Sequence, residues 1–376
     1  MNSVTDLTGC LYLRPGFPVP HNLRNTRQDW ASRLGQGQDS QHLPTTMASL
    51  FNLCGQAHRI CSHLAVEAAR GLESALQVSG AIQLETAREH VRRMGLDWPR
   101  AAARSEDHSV WAAQATLSLK KCPLFKTSPV EASDWHATRL WLEASLLQMP
   151  APEWLAAWQE DPLFWLQSWS RSAGAWLPHV LAQAQSAPAM NRALSFKKAL
   201  CPHADRVTLR EWALSWFEQP RFGLQPHWQG ASAHTGSWTR LHARPLSELT
   251  LTPWLLLGFR LAELIRLCLP DVTAKQGASC LSWGSMPLGK RQGLAWVEMA
   301  RGLLMYQVRL DINGRVEMLQ VLAPTEWNFH PEGVVATALA PLPPDMDAPS
   351  LAWLMVAFDP CVPFFVQTPE KETCHA

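Results

Sequence analysis

Apolar residues recur at three- and four-residue steps at Ile60, Leu64, Ala68, Leu72, Ala75 and Leu76, which predicts one long helix from Ala57 to Val78 with Gly80 as its stop. A second helix is predicted from Ile82 to Met94, running into Leu96-Asp97-Trp98-Pro99. The stretch from about 108 to 220 reads as predominantly helical and is rich in tryptophan. Trp154, Trp158, Trp165, Trp169 and Trp176 lie four, seven, four and seven residues apart, hence on one helical face, with Asp161-Pro162 interrupting or restarting the helix. Burial by itself requires that spacing, so the stripe reads as core packing rather than a ligand platform or electron conduit. The most apolar stretch, Leu249 to Leu269, carries Arg260, Glu263 and Arg266, which argues for a buried amphipathic helix against a membrane span.

The period shortens late in the chain. Leu303 to Leu310 and Arg315 to Leu322 alternate around Asp311-Ile312-Asn313-Gly314, an Asn-Gly hairpin signal. Ser350 to Phe358 reads as a helix or a buried strand ending at the Asp359-Pro360 turn. Residues 1–45 read as irregular, punctuated by Pro15, Pro18, Pro20 and Pro44, with Gly35 to Gln41 as a polar loop. Length permits one large domain or two ordinary ones. With neither an internal repeat nor an obvious linker, residues 1–376 read as one α+β, mainly helical domain, with a tail over 366–376.

Composition narrows the function classes. Apolar residues make up 47% of the chain, charged ones 17%, and the formal net charge is +1 with no basic run, so nucleic acid is not an expected partner. The first seven residues lack a basic and an apolar region, so no signal peptide is read and a cytoplasmic location without membrane insertion is expected. Nine cysteines include no C-x-x-C pair, which removes zinc ribbons and thioredoxin-like motifs. Most should be reduced thiols acting as small hydrophobes. Cys54 differs in sitting at or just before the start of the first long helix, where free amides and the helix dipole favour a thiolate. His58 lies four residues on and on the same face, either as an ordinary capping or surface histidine or as part of a site with that sulfur.

The contexts of two cysteines carry a resemblance. Cys54-Gly55-Gln56-Ala57-His58 and Ala357-Phe358-Asp359-Pro360-Cys361 resemble the C-x-x-C-x-x-x-H and D-P-C-x-x-C motifs of the large subunit of nickel–iron hydrogenases, each with half its cysteine pair. Phe51 and Phe364 stand where the missing cysteines would be. Glu298-Met299-Ala300-Arg301-Gly302 is similar to that family's E-A-P-R-G, and Pro324-Thr325-Glu326-Trp327-Asn328 to its P-T-T-W-N. His234 to Arg240 matches its G-P-L-A-R region loosely. The segments occur in family order, and the pattern of losses resembles the HupK/HoxV-type hydrogenase maturation proteins.

The resemblance implies a [NiFe]-hydrogenase large-subunit-like fold, with a central helical bundle and small late β-hairpin elements. It implies that Cys54 and Cys361 converge to hold an iron carrying cyanide and carbon monoxide, the Fe(CN)2(CO) unit, with Arg301, Pro324, Thr325 and His58 around it. Cys54 matches a thiolate bridging to iron and Cys361 a terminal ligand of nickel. Two thiolates leave nickel without an adequate donor set, so no nickel and no hydrogen activation are expected. The implied role is a non-enzymatic scaffold that takes the iron unit from HypC/HypD-type carriers and passes it to the immature hydrogenase large subunit. The alternatives are a metal-free docking module of the same descent and a divergent hydrogenase. Arg301→Leu is expected to reduce loading while leaving the fold largely intact.

Overall fold

The computed structural model describes residues 9–74, 78–102, 108–172, 174–196, 198–219, 221–241, 250–269 and 281–367. The chain opens with β1 (Leu11–Leu13) and β2 (Leu23–Asn25), then α1 (Trp30–Gly35) and α2 (Leu43–Leu50). Helices α3 (Gly55–Arg70) and α4 (Ser79–Arg92) follow, and a π-helical turn at Arg93–Asp97 carries α4 into α5 (Trp98–Ala102). The helical middle comprises α6 (His108–Lys120), α7 (Ala132–Leu142), α8 (Ala151–Glu160), α9 (Pro162–Ser172), α10 (Trp176–Ser186) and α11 (Arg206–Trp216), with the short β3 (Lys198–Ala199) before the last. Then come β4 (Ala233–His234), α12 (Ser237–Leu241) and α13 (Pro253–Cys268). An antiparallel meander follows: β5 (Trp283–Gly289), β6 (Gln292–Met299), β7 (Gly302–Leu310) and β8 (Val316–Leu322). The chain closes with α14 (Pro324–Asn328), α15 (Val334–Leu339), α16 (Ala348–Phe358) and β9 (Phe364–Val366).

Helix α13 is the axis of the larger core. All its residues but Arg266 are buried, and the buried Glu263 is matched by Arg240 and His90. No helix among the described residues is long and apolar enough to cross a membrane. The tryptophan stripe packs into this core. Asp161 breaks α8 from α9, and Trp154 stacks on Trp158 at 5.5 Å and meets Trp169 edge-on at 5.6 Å, while Trp158 meets Phe259 of α13 at 5.1 Å.

Strands β6 and β7 are buried on both faces, so alternate residues serve two cores. Ala295, Val297, Leu304 and Tyr306 join the larger core, beneath α3, whereas Leu294, Trp296, Leu303 and Met305 join a smaller one built with α11, Trp228 and Trp327. Helix α3 lies close against β6 because Gly293 has no side chain, and a Cβ there would fall 2.2 Å from the Ala65 carbonyl oxygen.

Several boundaries differ from those the sequence predicts. Helix α3 ends at Arg70, not Val78, because Gly71 takes φ 72° and the Leu72 amide donates to the Glu67 carbonyl, a Schellman stop that the apolar spacing conceals. The late β structure is four strands rather than one hairpin. Gly284, Pro287 and Gly289 make β5 look like a loop, and an edge strand tolerates them. Residues 1–45 are not irregular throughout. They hold β1, β2 and α1, and β1 pairs in parallel with β9 from the opposite end of the chain. Three-residue strands carry too little alternation to be read, and a partner some 350 residues away leaves no local signal. The 366–376 tail begins within β9, and its part from 368 onward lies outside the described residues.

Candidate functional site

Each segment that reaches the site is set by a short-range constraint. Cys54 caps α3 after a one-turn 3₁₀ segment, Asn52–Cys54, and makes no hydrogen bond through its sulfur among the described residues. The first amides of α3 are occupied by a carboxylate, since Glu85 of α4 accepts from Gln56 N at 2.8 Å and Ala57 N at 2.9 Å. Arg301 sits in the two-residue turn between β6 and β7, where Met299 pairs with Gly302. Gly302 makes the turn at φ 132°, tight against Thr235. Thr235 Oγ1 accepts from Leu303 N at 2.9 Å, and Asn328 clamps the Thr235 backbone through Oδ1 and Nδ2 at 3.0 and 2.9 Å. Asn328 ends the same short helix, α14, that begins with Pro324 and Thr325. Cys361 follows Asp359, whose left-handed φ of 52° turns the chain out of α16.

These segments close on a cavity of about 540 Å³. Cys54, His58, Arg301, Pro324, Thr325 and Cys361 all line it, together with Phe51. Its apolar wall includes Leu50, Met299, Val321, Ala323 and Val362. Thr325 Oγ1 lies 3.2 Å from Cys361 Sγ. Phe364 does not line this cavity. It belongs to β9 and borders a separate cavity of about 380 Å³ with Arg93, Asp97 and Pro360, because pairing with β1 draws the chain away after Cys361. Among the described residues no group of three or more His, Cys, Asp or Glu side chains is arranged to hold a metal ion.

No protein-family model matches the chain. Over 393 aligned positions it is 39% identical to the hydrogenase expression/formation protein HoxV of Cupriavidus necator, with both chains covered completely. The chain belongs to the HoxV/HupK family. HupK proteins of Rhizobium leguminosarum bv. viciae and Azotobacter vinelandii are 28% and 27% identical, over 90% and 89% of this chain and 90% of each of theirs. Among solved structures, an NAD+-reducing [NiFe]-hydrogenase matches with a TM-score of 0.51 at 13% identity over 90% of this chain and 91% of its own. A [NiFeSe] hydrogenase variant from Desulfovibrio vulgaris Hildenborough matches with a TM-score of 0.52 at 13% identity over 90% and 92%. The HoxV/HupK chain therefore has the fold of [NiFe]-hydrogenase large subunits.

Electrostatics in this family member differ from the sequence expectation at both Cys54 and His58. Burial pushes the Cys54 thiol up to about 12, with Arg301 opposing and Cys361, Glu85 and Glu89 adding to the rise. The helix start does not make it a thiolate, because Glu85 already takes the amides that would have stabilised one. His58 is not paired to the cysteine sulfur. Its Nδ1 bonds Tyr306 Oη at 2.7 Å and its ring stacks on Phe51 at 3.8 Å. Burial, then Arg27 and Arg301, push its pKa down to about 3, so the ring is neutral. Phe51 thus buttresses His58 where the pattern of the large subunits has a cysteine.

Arg301 is the best-anchored residue of the site. Nη2 donates to Glu89 Oε1 at 2.5 Å, Nε donates to the Asp359 carbonyl oxygen at 3.2 Å, and all three side chains are nearly inaccessible. Burial opposes its charge, but Asp359 and Glu89 hold it protonated. Asp359 resists burial in the same way and stays below the usual carboxylate range because Arg301, Arg260 and Arg93 surround it. Arg301→Leu would remove one cation from these carboxylates and leave Glu89 to Arg93, and Asp359 to Arg93 and Arg260, so a cost in stability is expected beside any loss of loading.

Sequence reasoning missed three residues here. Glu89 has no motif around it. Asp359 was visible only as part of the D-P-C context, with no hint that it anchors Arg301. Arg27 lies in the segment read as irregular, yet lines the cavity, pairs with Glu326 at 2.7 Å and donates to Cys361 Sγ.

Proposed function

We propose that this chain is a hydrogenase maturation scaffold that holds an Fe(CN)2(CO) unit between Cys54 and Cys361 and passes it to an immature hydrogenase large subunit. The observation that carries the reading is the meeting of two thiols, from opposite ends of the chain, with Arg301 and the Thr325 hydroxyl around one cavity that no third cysteine among the described residues lines. Soft thiolates suit low-spin iron, and two of them form a smaller donor set than the four of a large subunit, which favours onward transfer. Each thiol gives up its proton, to the ligand the carrier withdraws or to water, as its sulfur replaces that ligand on the metal, and no change in iron oxidation state is required. Cyanide ligands are anionic and end in nitrogen. In a water-poor cavity they need donors, which Arg301 and Thr325 can supply, while the apolar wall suits carbon monoxide.

The cargo is a substrate of this protein rather than a resident cofactor. With Phe51 at one lost cysteine position and Phe364 drawn into β9 at the other, the residues do not offer a nickel site, and the protein acts without turning over hydrogen. The names of its relatives support a place in hydrogenase formation. The partners we assign are a HypC/HypD-type carrier upstream and the large-subunit precursor downstream.

The test is infrared spectroscopy on protein purified without oxygen from a host with the maturation machinery. Cyanide and carbonyl stretching bands should accompany the wild type and vanish in Cys54→Ala and Cys361→Ala. In cells, the same variants should lower the iron content of the large subunit without changing its polypeptide level. Full hydrogenase activity in the double alanine strain would reject the carrier reading and leave a metal-free docking module.

A further inference from the structure

Arg27 gives the cavity a cation that the cysteine and arginine motifs do not account for. Its side chain is 12% exposed, its Nε donates to Glu326 Oε1 at 2.7 Å, and its Nη1 donates to Cys361 Sγ. Glu326, which also accepts from Asn25 Nδ2 at 2.9 Å, stands where the similar P-T-T-W-N motif has threonine. A buried carboxylate in that place needs a counter-charge, and Arg27 supplies it.

The placement is built by the terminal sheet. Thr26 exchanges hydrogen bonds with Cys10, its amide reaching the Cys10 carbonyl at 3.0 Å and its Oγ1 accepting from Cys10 N at 2.9 Å. The next residue, Leu11, donates to the Pro363 carbonyl at 3.0 Å, two residues beyond Cys361. The strand order β2-β1-β9 therefore fixes Arg27 against Cys361 although the two are 334 positions apart.

We propose that Arg27 is a specificity-determining residue that makes this cavity accept an anionic metal complex and refuse a bare divalent cation. The inference rests on the cavity being the iron-unit site. In the empty protein the guanidinium bonds the Cys361 sulfur, a weak acceptor that is given up at small cost. A bare cation approaching that sulfur must displace a guanidinium that donates directly to it, whose charge Glu326 offsets only from the Nε side. A complex carrying cyanides instead offers nitrogen acceptors to the N–H groups Arg27 releases, in charge-assisted hydrogen bonds that carbon monoxide or a bare ion cannot form. Arg301 can also donate to a cyanide, but two carboxylates, Glu89 and Asp359, match its charge, whereas Glu326 alone pairs with Arg27, so the discrimination between anion and cation falls mainly to Arg27.

The experiment compares wild type, Arg27→Lys, Arg27→Gln and the double variant Arg27→Gln/Glu326→Gln, which leaves no unpaired buried carboxylate if the single variant does not fold. Two quantities are read on each: cyanide and carbonyl band intensity per protein after oxygen-free purification, and cadmium affinity of the iron-free protein from thiolate-to-cadmium absorbance. Replacing the guanidinium by an amide should lower band intensity, shift the remaining cyanide bands, and tighten cadmium binding about tenfold. Arg27→Lys should keep cadmium out and retain more of the bands. Unchanged bands in Arg27→Gln and in the double variant would overturn the inference while leaving the carrier reading standing. A parallel fall in cargo and cadmium binding would overturn it too, by assigning Arg27 a merely structural role. Absence of bands from the wild type would remove the carrier reading and this inference with it.

Discussion

Replacing Arg301 with leucine should cost this protein several kilocalories of stability before it costs any cargo. The guanidinium and its partners Glu89 and Asp359 are only 2–5% exposed, so the substitution leaves two carboxylates in a place with little water. Breaking a buried pair from one side typically costs about 3–5 kcal/mol. The lower end applies here, because Arg93 still reaches Glu89 at 2.9 Å and Asp359 at 3.0 Å, and Arg260 reaches Asp359 at 3.4 Å. For a chain of this length the unfolding entropy is on the order of 0.8 kcal/mol/K, so ~3 kcal/mol lowers Tm by about 4 °C. Arg301→Lys keeps a cation for one carboxylate and should lose less. The assay is thermal unfolding of the iron-free protein without oxygen, followed by calorimetry or circular dichroism. Adding Glu89→Gln to Arg301→Leu should recover part of the loss, since the stranded charge is then gone. An Arg301→Leu protein that melts within about 1 °C of wild type would refute the argument.

The buried His234, pushed down to about 3 by burial and by Arg260, should make the protein acid-sensitive. The unfolded chain binds its proton near pH 6.5 and the folded chain does not, so this residue's share of the stability is complete above that pH and falls by about 1.4 kcal/mol per pH unit below it, until pH nears the folded value, and the buried His58 adds a like share. Urea unfolding from pH 7 to 5 should be correspondingly flatter for His234→Gln, and equal slopes would exclude this histidine. Gly293→Ala should destabilise by at least about 1–3 kcal/mol, because the new methyl meets backbone of α3 that cannot move aside. A normal urea midpoint in that variant would mean that α3 and β6 are farther apart. Trp154→Ala, at the centre of the tryptophan cluster, should cost about 3–5 kcal/mol in the same assay while leaving any cyanide and carbonyl bands per folded protein unchanged.

The sequence by itself determined what is periodic or short-range. Helix α13, the break at Asp161, the tryptophan face and the β7–β8 hairpin are each written within one or two turns of chain, where spacing and a single Pro, Asn or Gly decide the outcome. The cavity's motif residues were legible for a different reason, since Cys54, Arg301, Thr325 and Cys361 each sit in a recognisable local context. Tertiary structure decided whatever depends on a partner distant in sequence. The 1–45 segment acquires strands only because β9 is there to pair with β1. Cys54 is held as a thiol by its burial in the folded core, and Glu85, from another helix, occupies the amides ahead of it. Phe364 leaves the site because sheet pairing takes it elsewhere, and Arg27 enters it from a segment without any motif. Long-range hydrogen bonds and buried charges are matched in space, and no local pattern of residues records which ones will meet.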